Sequence, residues 1–408
     1  MTDAQLSDLA ARALAAAGDD AQARVLHERR VRPGELRDLL SVELAMVRDG
    51  RVGIAQTTDA SEAGVAAAAD GAASACGSDR RGGFPGWPAP APGRSHDGWD
   101  PAVARLEPGA LPADVVEARA SRTAIASSTG IAAAERRTRV LGSDGSAATG
   151  LSALEATRAA WPALGDVGAG EVNPGSSARE PAGAGLETVA AGEYRAVLSP
   201  GAVAVLLDAL GRLAFNGLAV AEGRSPLAGR LGTRVAAAAI NLSESPRFAG
   251  TLPRSYDAEG VPVAPVPLIQ DGVAHRVVHD TRSAALAGAA STGHAGRPGG
   301  SAEGPRPRNL VLVGGGVESE AELLAPVETG LYVTALRGLQ PIAADTVSGV
   351  VEGRVVSGGE LGPPLAPLRF TGSPLDVLAA VEAMTMRQRL APSGTVCPAL
   401  RAGALRLA

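Results

Sequence analysis

Apolar residues recur along this chain with two different periods, and the switches between them mark out its elements. Leu6, Leu9, Ala13 and Leu14 fall at helical spacing, which predicts a helix over 4–17 ended by Gly18. Strand-like runs follow at 21–29 and 41–48. Asp49-Gly50 stands between VELAMVR and RVGIAQ, a strong hairpin signal. Residues 61–76 read as an Ala-rich helix, and a second strand pair, SRTAIASS and AAAERRTRVLG, flanks Thr129-Gly130. The chain therefore opens as an α+β unit.

The second half is richer in alternating, strand-like runs. EYRAVLSP (193–200) leads into an apolar helix predicted over 201–217. Asp271-Gly272 and Glu352-Gly353 each sit between alternating runs, which predicts two further hairpins. Ser319 and Glu322 have capping-box spacing, and a helix is predicted over 374–383. Two stretches rich in Gly and Pro interrupt the pattern. Residues 77–110 read as an extended connection pinned by Trp87 and Trp99, and 163–185 as a domain boundary. The expected architecture is α+β. A mixed α/β domain over 1–165, including the 77–110 connection, precedes a largely antiparallel, β-rich domain over 186–408 with a few helices.

Composition narrows the function classes. Aromatic residues make up only 2% of the chain, so Ala, Val and Leu must fill the cores, each burying little area at roughly 25 cal/mol per Å². All 38 basic residues are Arg, scattered rather than clustered, and the net charge is −5. No basic face interleaved with aromatics is present, which argues against nucleic acid as a ligand. No apolar run approaches the length of a membrane span, and the acidic start lacks the basic beginning of a signal peptide. Two distant cysteines, Cys76 and Cys397, give no disulfide framework. These features lead us to expect a cytoplasmic protein.

Candidate chemistry is sparse. The five histidines are His27, His96, His275, His279 and His294. His275 and His279 lie in a segment that reads as a strand, where they would stand about 13 Å apart, too far to share a metal. His279-Asp280 reads as a hydrogen-bonded pair at a strand end, and His294, in STGH, as a solvated loop residue or a cleft residue. Asp257 and Glu259, between Tyr256 and Gly260, are either a turn that satisfies backbone donors or a carboxylate pair for acid–base or metal chemistry. There is no G-x-S-x-G, and VLVGGGVES lacks the spacing of a nucleotide-binding loop. Arg224 and Arg230 could hold a peptide carboxylate, although a surface or packing role is the plainer reading. Cys397 reads as a buried, inert thiol.

The segment YDAEGVPVAPVPLIQDGVAHRVVHDTRSAALAGAASTGH resembles the core signature of the TldD/PmbA family of metallopeptidase-related proteins. VLSPGAVAVLL, AEGRSPLAGRLG, NLVLVGGG, GLYVTALRG and LRFTGSPLDVL follow the family's order, best from 193 to 383, and RDGRVGIAQTTD looks like its first domain. Catalytic members of that family carry a zinc-binding H-E-x-x-x-H helix. Here no histidine lies between His96 and His275, and LLDALGRLAF sets Asp208, Ala209 and Leu213 at the two His and the Glu. Cys397 does not match the context of the family's third ligand. The resemblance therefore implies a metal-free, PmbA- or TldE-like subunit with no catalytic residue or cofactor of its own. It further implies a TldD-like H-E-x-x-x-H partner that supplies zinc, and an unfolded peptide substrate held in the cavity between them. Tyr256, Asp257, Glu259, Gly260, His279, Asp280 and His294 are the residues expected near that cleft. The alternatives are a peptide-binding scaffold, or a diverged solo hydrolase using Asp208 and the 257/259 carboxylates.

Overall fold

The structure, a computed structural model, describes residues 1–89, 96–143, 145–159, 172–173, 176–177, 185–248 and 250–408. The stretch at 163–185, where the sequence predicts a domain boundary, lies outside the described residues except for 172–173, 176–177 and 185.

The first half begins with helix α1 (Asp3–Ala17), whose Thr2 cap and Gln5 form a reciprocal capping box. Strands β1 (Ala21–Arg32), β2 (Glu35–Arg48) and β3 (Arg51–Thr57) precede helix α2 (Glu62–Ala75). A short helix α3 (Pro101–Ala104), strands β4 (Val115–Ser127), β5 (Gly130–Gly142) and β6 (Ala147–Ala148), and helix α4 (Leu151–Ala159) complete it. The six strands form one sheet in the order β3-β2-β1-β4-β5-β6. Val25 pairs with Val42 on one side and Ala124 on the other. Alternate residues of β1, namely Ala21, Ala23 and Val25, therefore share a face, and α1 and α2 cover it with Leu6, Leu9, Ala13, Val65 and Ala72.

That sheet carries longer strands than the apolar pattern predicts. β1 and β2 run on to Arg32 and from Glu35, through residues with polar side chains on both faces. The cross-strand charges compensate, as Arg32 on Glu117 and Glu28 on Arg119 show. Trp87 does pin the 77–110 connection: its Nε1 donates to the Asp20 carbonyl at 3.0 Å and Phe84 meets it edge-on at 5.0 Å. Trp99 lies beneath the guanidinium groups of Arg122 and Arg136.

A two-residue strand pair, β7 (Val172–Asn173) and β8 (Ser176–Ser177), stands apart from the other sheets. The second half then runs β9 (Gly192–Leu198), α5 (Pro200–Leu213), α6 (Gly217–Ala221), β10 (Leu242–Glu244), β11 (Val266–Gln270), β12 (Val273–Ala274) and α7 (Thr281–Ala287). It continues with β13 (Leu310–Leu312), β14 (Gly316–Val317), α8 (Glu320–Leu324), β15 (Thr329–Pro341), β16 (Val347–Ser357), β17 (Glu360–Pro364) and β18 (Leu368–Gly372). Helix α9 (Pro374–Ala379) and strands β19 (Val381–Thr385), β20 (Arg389–Leu390), β21 (Val396–Cys397) and β22 (Leu400–Leu407) close it.

These strands form two sheets, β12-β11-β10-β13-β21-β20 and β14-β19-β22-β18-β16-β15-β9, with β17 added on β16. Most pairs are antiparallel; β9–β15, β13–β21 and β14–β19 are parallel. Helix α5 is buried between the sheets, with Val203, Leu206, Leu207 and Leu210 in one core with Leu242, Leu268, Leu331 and Leu400. The α+β architecture read from the sequence is the one observed.

Four local expectations are corrected. Glu352-Gly353 is no hairpin, because β16 runs straight through it. Gly353 lies at a bulge in the β15–β16 register, where a Cβ would come within 2.1 Å of the Tyr332 carbonyl. The apolar run 201–217 breaks into two helices, since the Asn216 side chain accepts the N–H groups of Leu218 and Ala219 and restarts the helix. The helix predicted over 374–383 ends at Ala379, and Val381 opens β19. Finally, β12 stops at Ala274, so His275 and His279 are not on one strand; Asp280 instead caps α7.

Candidate functional site

The YDAEG segment folds as a tight, buried turn between the two halves of the molecule. Gly260 adopts φ +77°, the left-handed region that glycine reaches at no steric cost. The turn lets one carboxylate collect three backbone donors. Asp257 Oδ1 accepts the N–H groups of Glu259 (2.9 Å) and Val261 (3.0 Å), and Oδ2 accepts that of Ala295 (2.8 Å). The last bond ties the turn to the STGH loop. Glu259 ties it to α7, since Oε2 accepts the Thr281 N–H at 3.0 Å. Its other oxygen, Oε1, is buried with no hydrogen-bond partner among the described residues.

The neighbours are equally enclosed. Asp280 accepts the Ser283 N–H at 2.8 Å, and the Ser283 hydroxyl accepts the Asp280 N–H at 3.1 Å, a complete capping box for α7. His279 and Asp280 therefore do not form the predicted pair. The His279 ring meets Ser283 Oγ at 3.3 Å, and its backbone N–H donates to Thr292 Oγ1 at 2.7 Å. His294 is not solvated: it is 1% exposed, with Nδ1 2.9 Å from Thr292 Oγ1 and Nε2 3.3 Å from Glu244 Oε1. Glu244 is itself fully buried, and its Oε2 accepts the N–H groups of Arg308 (2.8 Å) and Asn309 (2.7 Å). Arg254 faces the same carboxylate at 3.4 Å.

The first half of the chain supports this cluster directly. The Tyr256 hydroxyl donates to the Thr123 carbonyl at 2.8 Å, and Gln22 Nε2 donates to the Ala258 carbonyl at 3.0 Å. Glu135, held by His96 and Arg137, accepts the Ser255 N–H.

Burial sets the electrostatics. It pushes the Glu259 carboxyl up to about 8, with the Asp257 and Asp280 charges adding to it. It also pushes Asp257 up, but three N–H groups and the His294 imidazole oppose the rise. Near neutrality the buried pair therefore holds a proton, with the Glu259 carboxyl the group raised to about 8. Burial lowers His279 and raises the Tyr256 phenol.

Of the seven predicted residues, Tyr256, Asp257, Glu259, Gly260, Asp280 and His294 meet in one buried knot; the His279 ring turns aside toward Ser283. Sequence reasoning missed Glu244, Arg254, Thr281 and Glu135. Glu244 lies in NLSESP, a segment without a motif, and only the fold brings it to His294.

The helix where a zinc site would be expected is α5. Its Asp208 faces Arg212 at 3.8 Å, Ala209 is buried, and Leu213 is half-buried. An alanine and a leucine offer no donor, so these residues do not fit a zinc ion. Cys397 sits at the other end of the helix, fully buried, with its thiol donating to the Pro200 carbonyl at 3.2 Å and pushed up by burial. Among the described residues no group of three His, Cys, Asp or Glu side chains is placed to hold a metal. A cavity of about 640 Å³ opens over α5 and α6, with Ala209, Leu213 and Asn216 in its wall. None of the seven predicted residues lines it.

Known proteins resemble the chain at two levels. A metalloprotease of Methanothermobacter thermautotrophicus is 28% identical over 205 residues, covering 49% of this chain and 44% of that protein. A metalloprotease of Methanocaldococcus jannaschii is 27% identical over 201 residues, covering 48% and 44%. The chain thus spans less than half the length of the curated relatives it matches. Among solved structures, TldE from Thermococcus kodakarensis shares the fold with a TM-score of 0.74, 17% identity and coverage of 98% of this chain and 99% of that one. A protein from Thermotoga maritima does so at 0.70, with 18% identity and 95% of each chain covered. Residues 191–408 match the family described as the PmbA/TldA metallopeptidase C-terminal domain. With more than half of its length matched in this way, the chain belongs to the PmbA/TldD family of metallopeptidase-related proteins.

Proposed function

We propose that this chain is the metal-free partner subunit of a two-chain, zinc-dependent cytoplasmic peptidase that cleaves unfolded peptides. The observation that carries the reading is the state of α5. Its positions 208, 209 and 213 hold an Asp paired with Arg212, an Ala and a Leu, where a catalytic relative needs two imidazoles and a carboxylate. The helix is otherwise well formed, capped by Ser199 and packed into the core, so the scaffold is kept while the donors are gone. In the assembly a TldD-like partner supplies zinc, base and activated water, and the present chain closes the cavity and adds binding surface.

A second reading, a solo hydrolase, draws support from the Asp257–Glu259 pair, whose proton is held near neutrality. The burial of both carboxylates weighs against it, since a catalytic carboxylate must reach its substrate within hydrogen-bond distance. Reconstitution separates the two. The purified chain is assayed on an unfolded peptide alone and with an H-E-x-x-x-H paralogue from the same genome. The partner reading predicts cleavage only in the mixture. Cleavage by the chain alone, lost on Asp257→Ala, would establish the solo enzyme instead.

A further inference from the structure

The cavity over α5 and α6 has a chemistry that the buried knot lacks. Its wall is mainly apolar, formed by Ala209, Leu213, Ala219 and the turn after β15, where Ile342 stands 60% exposed. Three arginines line it, Arg212, Arg224 and Arg306, against one carboxylate, Glu303. Two of the three already have neighbours: Arg212 faces Asp208 at 3.8 Å, and Arg224 pairs with Glu222. Arg306 is exposed and has no ion-pair or hydrogen-bond partner for its guanidinium among the described residues. Two residues on, Arg308 lies outside the lining but close enough for the charges of the two arginines to act on each other. Its Nε is buried without an acceptor, and burial with the charges of Arg254 and Arg306 pushes it down to about 10.

We infer that this cavity binds the free C-terminal carboxylate of a short peptide, with Arg306 as its anchor, Arg224 beside it and the apolar wall receiving the last side chain. This rests on the partner-subunit reading and names the part of the substrate that this chain would take. A volume of about 640 Å³ is in the range of small-ligand sites, which are mostly apolar with a few convergent polar groups. A guanidinium fork matches a carboxylate in two parallel hydrogen bonds, and only a charged end gains from it fully. Apolar contact supplies affinity, and the free fork supplies the choice between a chain end and a chain interior. No covalent step is involved. The consequence is that the assembly would engage its substrate at the C-terminal end rather than within the chain.

The test needs no partner and no peptidase activity. A blocked pentapeptide ending in leucine, as the free acid and as the C-terminal amide, is titrated calorimetrically into the purified full-length chain. The free acid is expected to bind at least about tenfold more tightly than the amide, the size of one charge-assisted hydrogen bond. Arg306→Gln with Arg224→Gln is expected to bring that ratio near one with an unchanged circular-dichroism spectrum and melting temperature, and Arg306→Lys to restore part of it. Equal affinity for acid and amide, or no binding of either at millimolar concentration, would overturn the assignment. Failure here leaves the reconstitution result untouched, and a chain that fails to activate a partner can still show the acid preference.

Discussion

At the residue scale the family signature serves structure first. Asp257 is the hub, one carboxylate satisfying three N–H groups from its own turn and from the STGH loop. Asn offers one carbonyl oxygen and no charge, so Asp257→Asn should cost about 2–4 kcal/mol in urea unfolding. Glu259 adds a pH signature of definite sign. Its folded value, about 8, lies above the ordinary carboxylate value of 4.5, so the folded state holds the proton more tightly than the unfolded chain does. Stability from this group is fully present below about pH 4.5 and is lost as pH rises through about 8, by up to roughly 5 kcal/mol. Glu259→Gln, which fixes the neutral form, should flatten the fall in melting temperature between pH 5 and 9; an equally steep fall in the variant would contradict the assignment. The motif itself was legible in the sequence, and so was the turn-forming role of Asp257. The burial of His294 was not, because the carboxylate that meets it, Glu244, is fifty residues away in a segment without a pattern.

At the element scale, the readings that held were those where one local rule decided the outcome. α1 ends at Gly18, and the Asp49-Gly50 and Asp271-Gly272 turns both have positive φ at each position. The readings that failed were those where tertiary contact overrode the local signal. Glu352-Gly353 looks like a turn, yet the glycine is there because the bulged β15 passes too close for a side chain. Gly353→Ala should therefore destabilise by about 1–3 kcal/mol or more, whereas the same change at exposed Gly77, where a Cβ meets nothing, should be near neutral. α7 was hidden because its flanks alternate like a strand. Only the Asp280 cap, read together with Ser283 three residues on, marks its start.

At the scale of the molecule, the two halves are joined through buried polar contacts. Arg282 reaches from α7 to Asp79 at 3.0 Å and lies 5.6 Å over the Phe84 ring, while Arg81 donates to the Gly300 carbonyl. Each links a residue of the first half to the loops around α7. Arg282→Ala should therefore raise hydrogen exchange in both 79–87 and 281–300 together, since it removes the Asp79 ion pair and the Phe84 contact that join the two segments. Exchange rising in one segment alone would show that the halves are not coupled there. None of these contacts could be read from the sequence, because they depend on how the sheet of the first half meets loops some two hundred residues away. No helix among the described residues is long and apolar enough to cross a membrane.

The central claim, a peptidase subunit that has given its metal chemistry to a partner, is tested most directly by zinc stoichiometry. The chain would be captured from its native host and the intact assembly weighed by native mass spectrometry, with zinc measured on the same sample. The account predicts an equimolar complex with an H-E-x-x-x-H protein, carrying one zinc per pair that stays with the partner when the two are separated. Stoichiometric zinc on this chain alone would contradict it.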